Sequence, residues 1–285
     1  MERKWRITVW GVRGSAPRPE AGYLEYGGNT VCTSLERKDD LVILDGGSGL
    51  SCLGRKIGGG QSADGADFKR LHILFSHLHL DHVMGLFQFP PFYRQETEIH
   101  LYGGSGFQEK LETLVGPPLW PVGFREFRAK LAFHELCPGG AFYLTGLKDL
   151  RGYTMEGNHP GGSLLYRLEE MTDENGGYKT GGKSLVYGLD CEINEVIFSA
   201  CAAFAKESSL LIWDAGFAGE DLRPGWGHST WQQGIAMRQA AGAERVLMTH
   251  YNWAYSDTFL RRQEELAGRM DPACIFGREG MVITL

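Results

Sequence analysis

The stretch Phe75-Ser-His-Leu-His-Leu-Asp-His82 constrains this chain more than any other. It sets three imidazoles and a carboxylate, in the pattern His-x-His-x-Asp-His, directly after an apolar run of strand type, Leu71 to Phe75. Imidazole nitrogen and carboxylate oxygen are ligands that Zn²⁺, Mn²⁺ or iron take. On an extended segment leaving a strand, His77 and His79 are two residues apart and point the same way. Asp81 and His82 then diverge from that pair toward a second ion. One loop would therefore supply half the ligands of a two-ion site. A chance run of surface or core histidines is the plain alternative, and the strand-end position argues against it.

Two ions need more ligands, and the downstream candidates also stand at strand ends. They are His159 in Gly-Asn-His-Pro, Asp190 after Leu-Val-Tyr-Gly-Leu, Asp214 after Leu-Leu-Ile-Trp and His250 after Val-Leu-Met-Thr. A strand-terminal aspartate is a turn former or helix cap about as often as a ligand. Spacing alone does not choose between Asp190 and Asp214. His72, His100 and His134 have no such constellation and are assigned no chemistry. The Trp and Phe residues are read as core, not as a base-stacking platform.

Forty glycines, many paired, punctuate short β-like runs. Strands are expected at residues 5–10, 30–35, 41–44, 71–75, 99–102, 163–168, 184–189, 209–213, 245–249 and 281–285. Helices are expected at 106–115, with Leu111 and Leu114 inward, at 230–242, where Thr230 and Gln233 fit a capping box, and at 257–270. Glu169 to Gly182 reads as a polar loop. No long linker or repeat divides the chain, so residues 1–285 are expected to form one α/β domain with layers α/β/β/α.

Composition narrows the class. A net charge of −6 argues against a broad basic surface. The N-terminus has no apolar signal core, and the longest nearly apolar stretch, Val196 to Ala205, is far short of the ~20 residues that span a bilayer. Six scattered cysteines without a CxxC pair fit thiols in a reducing cytoplasm. No membrane partner and a cytoplasmic location are expected, and a homo-oligomer is left open.

Several segments, in order along most of the chain, carry a family resemblance: Trp-Gly-Val-Arg-Gly-Ser (10–15), Tyr-Gly-Gly-Asn-Thr (26–30), Leu-Asp-Gly-Gly-Ser-Gly (44–49), His-Leu-His-Leu-Asp-His (77–82) and Gly-Trp-Gly-His-Ser-Thr (225–230). With them the chain resembles the metallo-β-lactamase superfamily, in the branch of ribonuclease Z and the cyclic phosphodiesterases. The resemblance implies an αββα sandwich of two mixed β-sheets flanked by helices. It implies that His77, His79 and His159 hold one divalent ion and that Asp81, His82 and His250 hold the other, with Asp190 bridging. Zinc is the expected metal, with manganese or iron as alternatives. Asp214 matches an acidic position behind the ligands, and Asp45 is expected to hydrogen-bond a ligand imidazole. His228 matches a residue that protonates the leaving oxygen. His228, Asp81 and Asp214 are thus the residues expected to serve the reaction.

Two ions that share a water and clamp an electrophile's oxygen make a hydrolase. A phosphodiester suits the charge and the histidine acid, so hydrolysis of a small or cyclic phosphodiester is expected. A long nucleic acid is not expected as a partner, because no basic arm is evident and Glu169, Glu170, Asp173 and Glu174 make residues 169–182 acidic. Lactone or β-lactam opening, and a di-iron oxygen-binding or redox-sensing module, are the alternative readings. Val12 to Ala16 and Phe87 to Tyr93 are the segments read as a pocket rim, with packing as the other reading of the second.

Overall fold

Short β-branched and aliphatic runs between glycine-rich turns become the strands of two mixed sheets. A computed structural model describes residues 4–37, 39–58, 68–174 and 177–285. The chain divides into two units, Met1–Pro17 with Gly28–Leu136 and Arg278–Leu285, and Arg18–Gly27 with Cys137–Gly277.

The first unit contains β1 (Arg6–Gly11), β2 (Cys32–Arg37), β3 (Asp40–Leu44), α1 (Gly49–Gly58), β4 (Arg70–Leu74), the single-turn α2 (Leu80–Val83), β5 (Glu98–Gly103), α3 (Phe107–Leu114), β6 (Lys130–Glu135) and β14 (Val282–Thr284). Its sheet runs β14-β1-β2-β3-β4-β5-β6. The pairs from β14 to β3 are antiparallel and those from β3 to β6 parallel. Parallel strands are normally covered on both faces, which is why they read as continuous apolar runs. Leu41, Leu71 and Ile99 are aligned across three strands, as are Ile43, Ile73 and Leu101, and all six are buried. Leu50 and Leu53 of α1 and Phe107 and Leu111 of α3 complete that core. Phe89 and Phe92 are buried in it too, and Phe87 stacks on Trp120, so Phe87 to Tyr93 serves chiefly as packing.

The second unit contains β7 (Ala141–Leu144), β8 (Leu147–Gly157), β9 (Ser163–Glu174), β10 (Gly177–Gly188), α4 (Glu195–Phe204), β11 (Leu210–Asp214), α5 (Trp231–Ala241), β12 (Val246–Thr249), α6 (Asp257–Met270) and β13 (Cys274–Phe276). The order is β13-β12-β11-β10-β9-β8-β7, parallel from β13 to β10 and antiparallel from there to β7. The Thr230 hydroxyl accepts from Gln233 N at 3.1 Å and Gln233 Oε1 accepts from Thr230 N at 2.9 Å, so the expected capping box starts α5.

Residues 169–182 differ from expectation. Glu169 to Glu174 prolongs β9 and Gly177 to Gly182 belongs to β10, because the antiparallel ladder of the hairpin continues with a register shift between Thr180 and Ser184. Residues 175 and 176 of that segment lie outside the described residues. No helix among the described residues is long and apolar enough to cross a membrane.

Candidate functional site

In the first unit, β4 ends at Leu74 and the histidine segment follows. His77 and His79 have ring centroids 4.3 Å apart. The His82 ring also lies 4.3 Å from that of His77, because α2 turns the backbone after His79, where His82 N donates to His79 O at 3.0 Å.

The Leu44 to Gly49 turn clamps this segment. Gly46 N donates to His82 O at 2.7 Å, and a Cβ on Gly47 would meet Asp81 O at 2.3 Å. The Asp45 carboxylate accepts from Ser76 N at 2.7 Å, from Ser76 Oγ at 2.8 Å, and lies 2.8 Å from His82 Nδ1. The expected hydrogen bond between Asp45 and an imidazole is therefore present, with the Asp45 carboxylate accepting from His82 Nδ1. Binding at Nδ1 fixes the tautomer and leaves Nε2 as the outward donor atom. Asp81 Oδ2 accepts from Ser15 N at 2.7 Å.

In the second unit, five residues from four strand ends and one loop converge. Asp190 follows β10 and stands among three imidazoles: His250 Nε2 at 3.4 Å, His228 Nδ1 at 3.6 Å and His159 Nε2 at 3.8 Å. Asp214 closes β11 and stands between two, with His228 Nδ1 at 3.0 Å and His250 Nδ1 at 3.7 Å, while its Oδ1 also accepts from Gly216 N at 2.7 Å. Asp190 and Asp214 are both buried, and geometry separates them where spacing did not. His159 Nδ1 lies 3.0 Å from Gly227 O, so its Nε2 also faces inward.

Burial opposes charge on Asp214, but the attraction and hydrogen bond of His228, with help from His250, outweigh it and hold the carboxyl below its usual range. Burial likewise works against a charged His228. The Asp214 charge and hydrogen bond override it, and the imidazole is raised above the ordinary histidine value. His228 and Asp214 thus form a hydrogen-bonded acid–base pair.

Donor atoms of His159, Asp190 and His228, and of Asp214, His228 and His250, lie within 4.8 Å of one another in each group. This is a set of nitrogen and oxygen donors suited to a borderline divalent ion. Backbone strain marks the same places. Of five non-glycine residues with positive φ among the described residues, Asp190 (55°) and His250 (62°) are in these clusters, while Asp45 (57°) holds His82 and Ser15 (63°) holds Asp81. Such conformations cost about 1–2 kcal/mol each and persist where surrounding structure over-determines them.

Glu192 is a residue that sequence reasoning missed. Its carboxylate accepts from the N–H groups of Gly225 and Gly227, beside His228. An acidic residue in a loop carries no signal of that role.

Residues 60–251 match the family described as Beta-lactamase superfamily domain. The chain belongs to the beta-lactamase superfamily. Its fold is of the metallo-β-lactamase class, two mixed β-sheets flanked by helices, as expected. The chain is similar to the ribonuclease Z of Haloarcula marismortui, 25% identical over 97% of this chain and 95% of that one. Among solved structures it resembles the metallo-beta-lactamase fold protein YhfI from Bacillus subtilis, with a TM-score of 0.73, 17% identity and 100% of both chains covered. It also resembles the short form of human tRNase Z, with a TM-score of 0.68, 18% identity and 98% of both chains covered.

These superfamily relatives overturn one expectation, that the partner is a small phosphodiester and not a long nucleic acid. The curated relative is named for RNA, a long polyanion. The acidic run that argued against RNA is part of strand β9, where Glu169 accepts from Arg167 Nε at 2.6 Å. A net charge sums the whole chain, whereas phosphate contacts are made locally.

Proposed function

We propose that this member of the superfamily is a metal-dependent phosphoester hydrolase acting on RNA. The observation that carries the reading is the His228–Asp214 pair set among the His159, Asp190 and His250 donors. An imidazole held by a buried carboxylate beside a divalent-ion donor set suits expulsion of an alkoxide. The relatives supply the substrate class, and a folded transfer-RNA precursor is the substrate to test.

The donor chemistry fits two divalent ions. His77, His79, Asp81 and His82 of the first unit, and His159, Asp190 and His250 of the second, are the residues that would hold them. When bound, such ions supply Lewis acidity, screening phosphate charge and lowering the pKa of a water. The chain's own groups do the rest. Asp45 and Gly227 O fix the tautomers of His82 and His159, so each presents Nε2. Asp214 holds His228 Nδ1, which leaves Nε2 to deliver a proton to the leaving oxygen. Asp214 steadies the charged imidazole and keeps its orientation.

The test is cleavage of a transfer-RNA precursor by metal-loaded protein, alongside His228→Ala. The variant is expected to keep its metal yet lose about 10²–10⁴-fold in turnover on RNA, the usual range for general acid catalysis. On bis(4-nitrophenyl) phosphate, whose leaving group needs no proton, the loss should be smaller. Intact RNA after prolonged incubation would overturn the substrate class. Equal losses on both substrates would overturn the acid role.

A further inference from the structure

Trp5 and Trp213 are fully buried and Trp231 is 3% exposed, but Trp226 is 64% exposed. A single exposed tryptophan on a free loop needs no explanation. This one is fastened on both sides. Gly225 N and Gly227 N donate to Glu192 Oε2 at 2.7 and 2.9 Å, and Gly227 O lies 3.0 Å from His159 Nδ1. Trp226 N itself donates to Arg223 O at 3.2 Å. Gly225 and Gly227 have φ of 83° and 81°, a conformation other residues rarely adopt. The backbone is therefore fixed on either side of an indole that stays in solvent. His228 is two residues further on, at most about 7 Å along the chain.

We propose that Trp226 is a specificity residue that stacks on a base of the substrate, beside the leaving oxygen that His228 serves. The inference rests on the hydrolase reading for its substrate class. An indole face and a base face match as planar π surfaces, and a backbone that is already fixed loses little freedom on contact. One base on one aromatic ring changes affinity about 5- to 150-fold.

The test is calorimetric binding of adenosine 5′-monophosphate and ribose 5-phosphate to the metal-loaded full chain. The wild-type chain is expected to favour the nucleotide about 5- to 150-fold. Trp226→Ala should bind the two within about two-fold while keeping its metal and its affinity for ribose 5-phosphate, and Trp226→Phe should restore most of the preference. Trp253→Ala is the comparison, a 47% exposed ring already covered by the Arg18 guanidinium at 5.0 Å, and it should keep the preference. A wild-type chain without preference, a Trp226→Ala chain that retains it, or equal losses in both alanine variants would overturn the proposal. Turnover of bis(4-nitrophenyl) phosphate separates the two readings. A chain that hydrolyses it without base preference sinks the stacking role alone. A Trp226-dependent preference without any phosphoester cleavage supports the stacking role and sinks the hydrolase.

Discussion

A Cβ on Gly227 would lie 2.1 Å from His159 Nδ1 and 2.5 Å from Pro160 Cδ. Gly225 has almost the same φ, but nothing lies within 4 Å of its Cβ position. The two glycines therefore separate conformational strain from steric displacement. Gly225→Ala should cost about 1–2 kcal/mol, the left-handed backbone alone. Gly227→Ala should cost more and displace the His159 imidazole, so denaturant unfolding and metal titration should both register it. Equal destabilisation with unchanged metal affinity would reject the claim that Gly227 positions His159. At this scale the histidine motif was legible because its ligand chemistry is compressed into six residues. The resemblance named Asp214 and His228 separately, and their link was not legible, since 14 residues and a loop separate them. Trp226 was read as core because composition does not say which aromatic rings a tied loop keeps in water.

Among the elements, β4, β5 and β6 carry a histidine ladder distinct from the candidate donors. His72 and His100 are aligned across strands and stack with centroids 5.2 Å apart, and His100 Nδ1 lies 2.9 Å from His134 Nε2. Burial lowers the His72 pKa from the ordinary 6.5, the Asp40 hydrogen bond opposes this and His100 reinforces it. Burial, with His100 and His72, lowers that of His134. With depressed values the unfolded chain takes up protons first as pH falls. The stability from these groups is present above about 6.5 and is lost as pH drops through the folded-state values. Melting temperature should fall between pH 7 and pH 5, and less steeply in His134→Gln. Matching slopes in the two proteins would rule the ladder out. Element boundaries followed apolar periodicity where cores are aliphatic. Helix α1 escaped because Gly49, Gly54 and Gly58 read as turns, although a Cβ on Gly54 would meet Phe89 Cδ2 at 2.7 Å and one on Gly58 would meet Pro90 Cβ at 2.8 Å. Close packing of Phe89 and Pro90 requires glycines there, at a cost of about 1 kcal/mol each in helix propensity.

For the whole molecule, metal content is the quantity that the proposed ligand assignment predicts. Elemental analysis should find close to two ions per chain, and excess metal at about 100 times its Kd should add about 2.7 kcal/mol to unfolding stability. His82→Ala should empty one position preferentially, whereas Asp190→Ala should weaken both. One ion per wild-type chain, or full occupancy without Asp190, would sink the bridge. The order of strands has a separate consequence, for synthesis. In the first sheet β1 pairs on one side with β2 and on the other with β14, Arg6 lying opposite Thr284. While a ribosome is still adding residues 137–277, β1 has its backbone N–H and C=O groups open along one side, an unpaired edge of the kind that recruits other strands. That edge closes only when residues 282–284 leave the exit tunnel, so among the strands described β1 waits longest for its partner.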